Sequence, residues 1–277
     1  MDRKEIAILR EYKVVKHNNL IQKSRYELST QEQKILLYII TKIKPEDTAL
    51  ELYEFNIKDF CAICGIDETS GKNYADLKKT IKDLADKSIW ITLENGLETI
   101  VRWIERPYID RKSGVIKIKL DELMRPYLLQ LKNHFTAYNL YYTLAMKSKY
   151  SIRIYELLKS YENLSECVFG IEALKKMLLA EKYEMYKDFR VKVLDIALRE
   201  INDFGDISVT YTIEKEGKKA DKIRFKIKSK KDIKERIETF KKIEQRISVN
   251  QVEQNNIFVN YGDKEPIIDT IIKSANI

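Results

Sequence analysis

Histidine is nearly absent from this chain of 277 residues: only His17 and His134 are present, far apart in sequence. A metal-dependent tyrosine nickase holds a cation with clustered histidines beside its nucleophile, so the 17 tyrosines lack the partner that such chemistry needs. Cysteine is scarce as well. Cys61, Cys64 and Cys167 are an odd number, which argues against a disulfide framework. Cys61-Ala62-Ile63-Cys64 has CxxC spacing, but no second pair completes a four-ligand zinc site. In an apolar helical stretch both sulfurs read as small core hydrophobes. Eight glycines and four prolines exclude collagen-like and loop-dominated architectures. Apolar runs such as Ile35–Ile40 fall far short of the ~20 residues of a membrane span. Asp2, Arg3, Lys4 and Glu5 open the sequence without an apolar core behind them, so no signal peptide is expected. A cytoplasmic protein without membrane or cofactor is the expectation.

Gly65-Ile66-Asp67-Glu68-Thr69-Ser70-Gly71-Lys72-Asn73 superficially resembles a phosphate-binding loop. The motif needs four residues between its glycines and Ser or Thr after the lysine. Five intervene here and Asn73 follows, so the segment reads as a turn opening a helix.

What the chain does have is basic charge and a core. Hydrophobic residues make up 44%, enough to exclude disorder as the main state, and the length suggests two domains. Lysine and arginine total 51 against 43 acidic residues, a formal charge of +8. From Lys231 onward eight basic residues balance eight acidic ones, so the surplus lies before the tail. Such a body fits either a polyanionic partner or a lysine-rich solubilising surface.

Periodicity then gives one order of elements twice. Ser29 with Glu32 forms a capping box ahead of a helix whose stripe is Ile35, Leu36, Ile39, Ile40 and Ile43. A turn at Lys44–Asp47, a short strand Leu50–Phe55, a helix Ile57–Cys64, a turn Gly65–Gly71 and a helix Lys72–Lys87 follow. Ile89–Leu93 and Glu98–Ile104 flank the turn residues Glu94-Asn95-Gly96 as a hairpin, and Val115–Leu120 alternates like another strand. About 115 residues on, the order recurs: helix Ser148–Tyr161, strand Cys167–Phe169, helix Ile171–Leu179 and helix Tyr186–Asn202. Strands Val209–Glu214 and Ile223–Lys228 then bracket the basic tip Glu216-Gly217-Lys218-Lys219. Helix, strand, helix, turn, helix and hairpin is the winged-helix order. The expected fold is therefore α+β, a tandem winged helix, with residues 1–132, residues 133–230 and a tail 231–277. Lys231–Arg246 reads as an amphipathic helix, and Ser248–Ile277 as polar and partly disordered.

The second helix of a helix-turn-helix pair enters the major groove, so its outward face carries the candidates. In the first copy Tyr74, Leu77, Ile81 and Leu84 turn inward, leaving Lys72, Ala75, Lys79 and Lys82 outside, with Asn73 and Lys78 at the edge. In the second, Phe189, Val193, Ile196, Ala197 and Ile201 turn inward. That leaves Lys187, Asp188, Val191, Lys192, Asp195 and Arg199 outside. A lysine-rich helix face is by itself only a solvated surface. Two of them, each behind a short helix and ahead of a wing, point to DNA.

Three blocks carry a resemblance. Val14-Val15-Lys16-His17-Asn18-Asn19-Leu20-Ile21 precedes Tyr26-Glu27-Leu28-Ser29 and Gln31-Glu32-Gln33-Lys34-Ile35-Leu36-Leu37-Tyr38. The second block is Tyr150-Ser151-Ile152-Arg153-Ile154-Tyr155-Glu156-Leu157-Leu158, and the third is Phe189-Arg190-Val191-Lys192-Val193-Leu194, continuing to Asn202. Over about residues 12–228 the chain resembles the iteron-plasmid replication initiators. The resemblance implies tandem winged helices that bind direct repeats in double-stranded origin DNA, help melt it, and recruit the host initiator and replicative helicase. It also implies a homodimer in equilibrium with monomer, formed mainly through the first winged helix and repressing its own gene, while the second module dominates DNA binding. No covalent chemistry is implied. Carried over, the DNA-facing residues are Lys72, Asn73, Lys78, Lys79 and Lys82 in the first module. In the second they are Lys187, Arg190, Lys192 and Arg199 on the helix, with Lys218 and Lys219 beside Gly217 on the wing. Val191 departs from a run that is wholly basic in many relatives, and could touch a thymine methyl. A winged-helix transcription regulator without replication activity is the alternative, ahead of a rolling-circle nickase and a purely structural protein.

Overall fold

In the computed structural model, residues 13–64, 71–92, 96–110 and 112–255 are described, without the side chains of residues 71–74, 92 and 249–255. Residues 65–70 of the expected turn Gly65–Gly71, Glu94 and Asn95 of the expected hairpin turn, and the tail beyond 255 lie outside them. Strand β1 (Lys13–His17) leads into helix α1 (Asn18–Gln22), capped by His17 Nδ1, which accepts from Asn19 N–H at 3.1 Å. Helix α2 (Thr30–Ile40) starts at the expected capping box, with Ser29 and Glu32 satisfying each other's backbone N–H. Its apolar stripe is wider than periodicity alone suggests. Leu37 and Tyr38 are buried along with Ile35, Leu36, Ile39 and Ile40, because α2 packs between the first module and a later helix.

Strand β2 (Leu52–Asn56), helix α3 (Ile57–Cys64) and helix α4 (Gly71–Asp86) follow, with the hairpin β3 (Ser88–Thr92) and β4 (Glu98–Arg102) as the first wing. Strands β5 (Tyr108–Asp110) and β6 (Val115–Lys119) complete a sheet of order β2-β6-β5. Helix α5 (Arg125–Leu128), strand β7 (Phe135–Asn139) and helix α6 (Tyr141–Leu144) lead to α7 (Lys149–Lys159), capped by Ser148. The second module comprises β8 (Glu166–Gly170), α8 (Ile171–Met177), α9 (Tyr186–Phe189), a π-helical turn (Arg190–Leu194), α10 (Asp195–Phe204), β9 (Ile207–Glu216) and β10 (Lys219–Ser229). The repeat holds in order but not in pairing. Strand β8 joins its wing in the sheet β8-β10-β9, whereas β2 pairs with β6 and leaves β3-β4 as a separate ribbon.

One joint crosses the expected seam at 132/133. β7 pairs antiparallel with β1, from Lys13 opposite Asn139 to His17 opposite Phe135. Helix α7 packs against α1 and α2 on one side and against α10 on the other, so both modules share one core. On its first-module side Glu156, 1% exposed, accepts from the equally buried Lys16 of β1 and from Tyr138 OH of β7. Arg153 lies 3.8 Å from the same carboxylate and donates to Tyr26 OH (2.6 Å), Ser24 O (3.2 Å) and Ile21 O (3.3 Å). Burial draws the Lys16 pKa down while Glu156 pulls it back up, and burial pushes the Tyr138 hydroxyl up. On the other side Asp206 accepts from Tyr155 OH (2.8 Å) and Lys159 Nζ (2.6 Å).

Helix α11 (Ile233–Asn255) is longer than the expected helix to Arg246, and residues 248–255, part of the segment expected to be polar and partly disordered, are helical. Buried Ile243 and Ile247, and Phe240 stacked on Tyr142, hold it down, while Glu244 accepts from Tyr141 OH at 2.6 Å. All three cysteines are buried and free of disulfides, and burial pushes the Cys167 thiol up to about 12, which marks it as a protonated core residue. The two histidines prove to be spatial neighbours. Asn18 N–H donates to His134 O at 2.6 Å, and His134 acts electrostatically on His17. Among the described residues they join no group of three or more candidate metal ligands.

Removing Glu156 would leave Lys16 buried without its carboxylate, so Glu156→Ala should cost ~3–5 kcal/mol in urea denaturation; a loss below ~1 kcal/mol would contradict the joint. A second prediction concerns pH. Burial, His134 and Lys23 hold the His17 pKa below the ordinary value of ~6.5, so below that pH the unfolded chain takes up a proton first. Stability present above pH ~6.5 is therefore lost as pH falls through the folded pKa. His17→Asn keeps a capping acceptor without the titration and should shrink the stability difference between pH 7.5 and 5.5; an unchanged difference would contradict it.

Candidate nucleic-acid interface

The second module builds its basic face from a helix, a turn and a wing. Lys175 of α8 is 2% exposed, and its ammonium donates to Glu184 O (2.8 Å) and Glu172 Oε1 (2.9 Å). A buried cation thus ties α8 to the loop that starts α9 and sets the angle between the two helices. Glu200 of α10 accepts from the N–H groups of Lys147 (3.1 Å) and Ser148 (3.2 Å), which anchors the groove-facing helix to the start of α7. Gly205 ends α10 at a close approach, where a Cβ would lie 2.7 Å from Ile201 O and 3.3 Å from the Tyr155 ring. The wing turns at Gly217-Lys218 between the paired Glu216 and Lys219, with Gly217 at φ +61°, as a II′ turn requires at its first central position.

Lys187 and Arg190 from the helix, and Lys218 and Lys219 from the wing, line one open groove floored by Tyr186, Tyr211 and Ile213. Lys215 of β9 lines it too. Sequence reasoning passed over it, because it sits two residues before the turn that marked the wing tip. Lys192 and Arg199 are exposed but stand outside this groove, and Lys192 is engaged by Asp188 at 3.2 Å and lies over the Tyr183 ring. Among the described residues Lys187, Arg199, Lys218 and Lys219 have no ion-pair partner.

In the first module Leu77, Ile81 and Leu84 of α4 are buried, and Ala75, Lys78, Lys79 and Lys82 are exposed, with Lys82 paired to Asp86 at 2.6 Å. Lys72 and Asn73 stand in the first turn of α4; their side chains lie outside the described ones. Exposed Trp90 and Ile100 stand opposite each other on the first wing.

Two helix-turn-helix units, each followed by a hairpin, place the chain in the class of tandem winged-helix proteins. Residues 13–159 match the model of the initiator replication protein family for its first winged helix, WH1, and residues 170–227 match that for its second, WH2. The chain belongs to this family of plasmid replication initiators. A replication initiation protein of Escherichia coli is 26% identical over 265 residues, covering 91% of this chain and 77% of the relative. The PI protein of Escherichia coli is 25% identical over 252 residues, covering 76% and 81%. The crystal structure of the MSBI1.176 WH1 domain, a replication protein isolated from a multiple sclerosis patient, is 19% identical. It covers 36% of this chain and 80% of its own, with a TM-score of 0.29, too low to bear on the fold.

Gly205→Ala should destabilise the protein by ~1–3 kcal/mol in urea, because neither the Ile201 carbonyl nor the buried Tyr155 ring can move freely. An unchanged midpoint would contradict this close approach.

Proposed function

We propose that the protein initiates plasmid replication by binding direct repeats in double-stranded origin DNA, without covalent chemistry of its own. The groove shared by Lys187, Arg190, Lys218 and Lys219 carries this reading, since a helix and a wing offering cations to one cleft match a duplex groove and its phosphates. The second module is the main DNA-binding unit, with Lys192 and Arg199 flanking its groove. In the first, Lys72, Asn73, Lys78, Lys79 and Lys82 of α4 add further anchorage to the duplex. Two linked modules on adjacent sites raise each other's effective concentration. Bound repeats strain the neighbouring duplex toward opening, and the host initiator and replicative helicase are recruited there. A homodimer formed through the first module represses the protein's own gene. No helix among the described residues is long and apolar enough to cross a membrane, in keeping with action in the cytoplasm.

Fluorescence anisotropy on duplex DNA from around the gene, beside a scrambled duplex, tests this reading. Tight repeat-dependent binding that falls steeply between 50 and 200 mM salt is expected, while equal weak binding to both duplexes would overturn it. Replacing Lys187 and Lys218 together by alanine should flatten the slope of log K against log salt by ~1.8, about 0.9 for each phosphate no longer neutralised. An unchanged slope would place the phosphates beside other cations.

A further inference from the structure

The helix that faces the groove is not a continuous α-helix. Between α9 and α10 the turn Arg190–Leu194 is π-helical, closed by Asp195 N–H donating to Arg190 O five residues back. Five α-helical residues would carry the two side chains about 140° apart. A turn closed on the fifth residue brings them to one side instead. There Asp195 Oδ2 lies 3.6 Å from Arg190 Nε, and Asp195 Oδ1 accepts from Tyr211 OH of β9 at 3.1 Å. One carboxylate therefore ties the groove-facing helix to the wing and lies beside an arginine. Tyr211 is itself fixed, paired across the hairpin with Phe225, its ring 6.2 Å from that ring.

This arrangement separates Arg190 from the other cations of the groove. Lys187, Lys218 and Lys219 are flexible point charges suited to phosphates. Asp195 meets Arg190 on the Nε side, at ion-pair distance, and among the described residues no other ion-pair partner engages the two terminal nitrogens of its fork. A carboxylate also repels phosphates, so Asp195, set against Arg190 and Tyr211 of this groove, opposes general affinity unless it orients something. Resting on the DNA-binding reading above, we infer that Arg190 reads a guanine, its fork on O6 and N7, and that Asp195 and Tyr211 are the positioning residues that aim it.

The test is selection of bound duplexes from a randomised pool by the full-length protein, followed by sequencing, with each recovered site remeasured across salt. The wild type should select a motif containing a guanine position. Arg190→Lys keeps the charge but loses the planar fork, so preference for that guanine should fall by roughly 5- to 150-fold while other positions and the salt slope hold. Asp195→Asn should blur the same position and tighten binding to scrambled DNA. Tyr211→Phe, which keeps the ring against Phe225, should blur it less. If Arg190→Lys weakens every position equally, or none, Arg190 is not a base reader and the inference fails while the DNA-binding reading stands. If Asp195→Asn leaves the guanine position sharp, the positioning role fails alone. A wild type that selects no motif would remove the DNA-binding reading and this inference with it.

Discussion

The buried carboxylate of Glu156 locks α7, the helix on which both modules pack, to the first module. It stands on α7, the helix both cores share, and meets Lys16 from β1 and Tyr138 from β7, with Arg153 one helical turn away reaching back to Tyr26. Charges placed this deep are costly to desolvate and add little net stability over apolar packing of the same volume. Their effect is conditional. Each is tolerable only while the others are in place, so strands 13–17 and 135–139 must pair in one register and α7 must face them in one rotation. The same helix also holds Asp206 through Tyr155 and Lys159, which passes that geometry on to the start of the second wing.

From this joint the basic groove follows by a chain of local constraints. Glu200 fastens α10 to the start of α7, Lys175 fixes the turn ahead of α9, and Gly205 lets β9 leave the helix at close range. Helix and wing then arrive at one cleft with their lysines and Arg190 converging. The groove concentrates positive charge, and the π turn sets a carboxylate beside one of its cations, Arg190.

Much of this was legible in the sequence, for physical reasons. Ser29 and Glu32 announce α2 because a capping box is local, and Ile57–Cys64 reads as a helix because its apolar period is undisturbed. The hairpin around Gly217 shows in its turn chemistry. Chain-level resemblance found the blocks containing Lys16 and Glu156, but not that they touch. Their pairing depends on the β1–β7 ladder, which joins residues more than a hundred positions apart. Periodicity at 100° per residue placed Lys187 and Arg199 outside but could not foresee the π turn that sets Asp195 beside Arg190. Lys175 and Glu200 were missed because charged residues read as surface, whereas here backbone groups satisfy them inside. His17 and His134 looked isolated because the ladder that brings them together joins distant stretches of the chain.

Helix α7 makes the two winged helices a single cooperative unit, tied by Glu156 to the first and through Tyr155 and Lys159 to Asp206 of the second. Urea unfolding can be followed by tryptophan fluorescence, which reports the first module because Trp90 and Trp103 both lie there, and by amide exchange of β9 and β10, which reports the second. The two transitions should coincide, with one midpoint and one slope. Separate midpoints, with the second wing exchanging while Trp103 stays buried, would contradict this and show that α7 does not couple the modules.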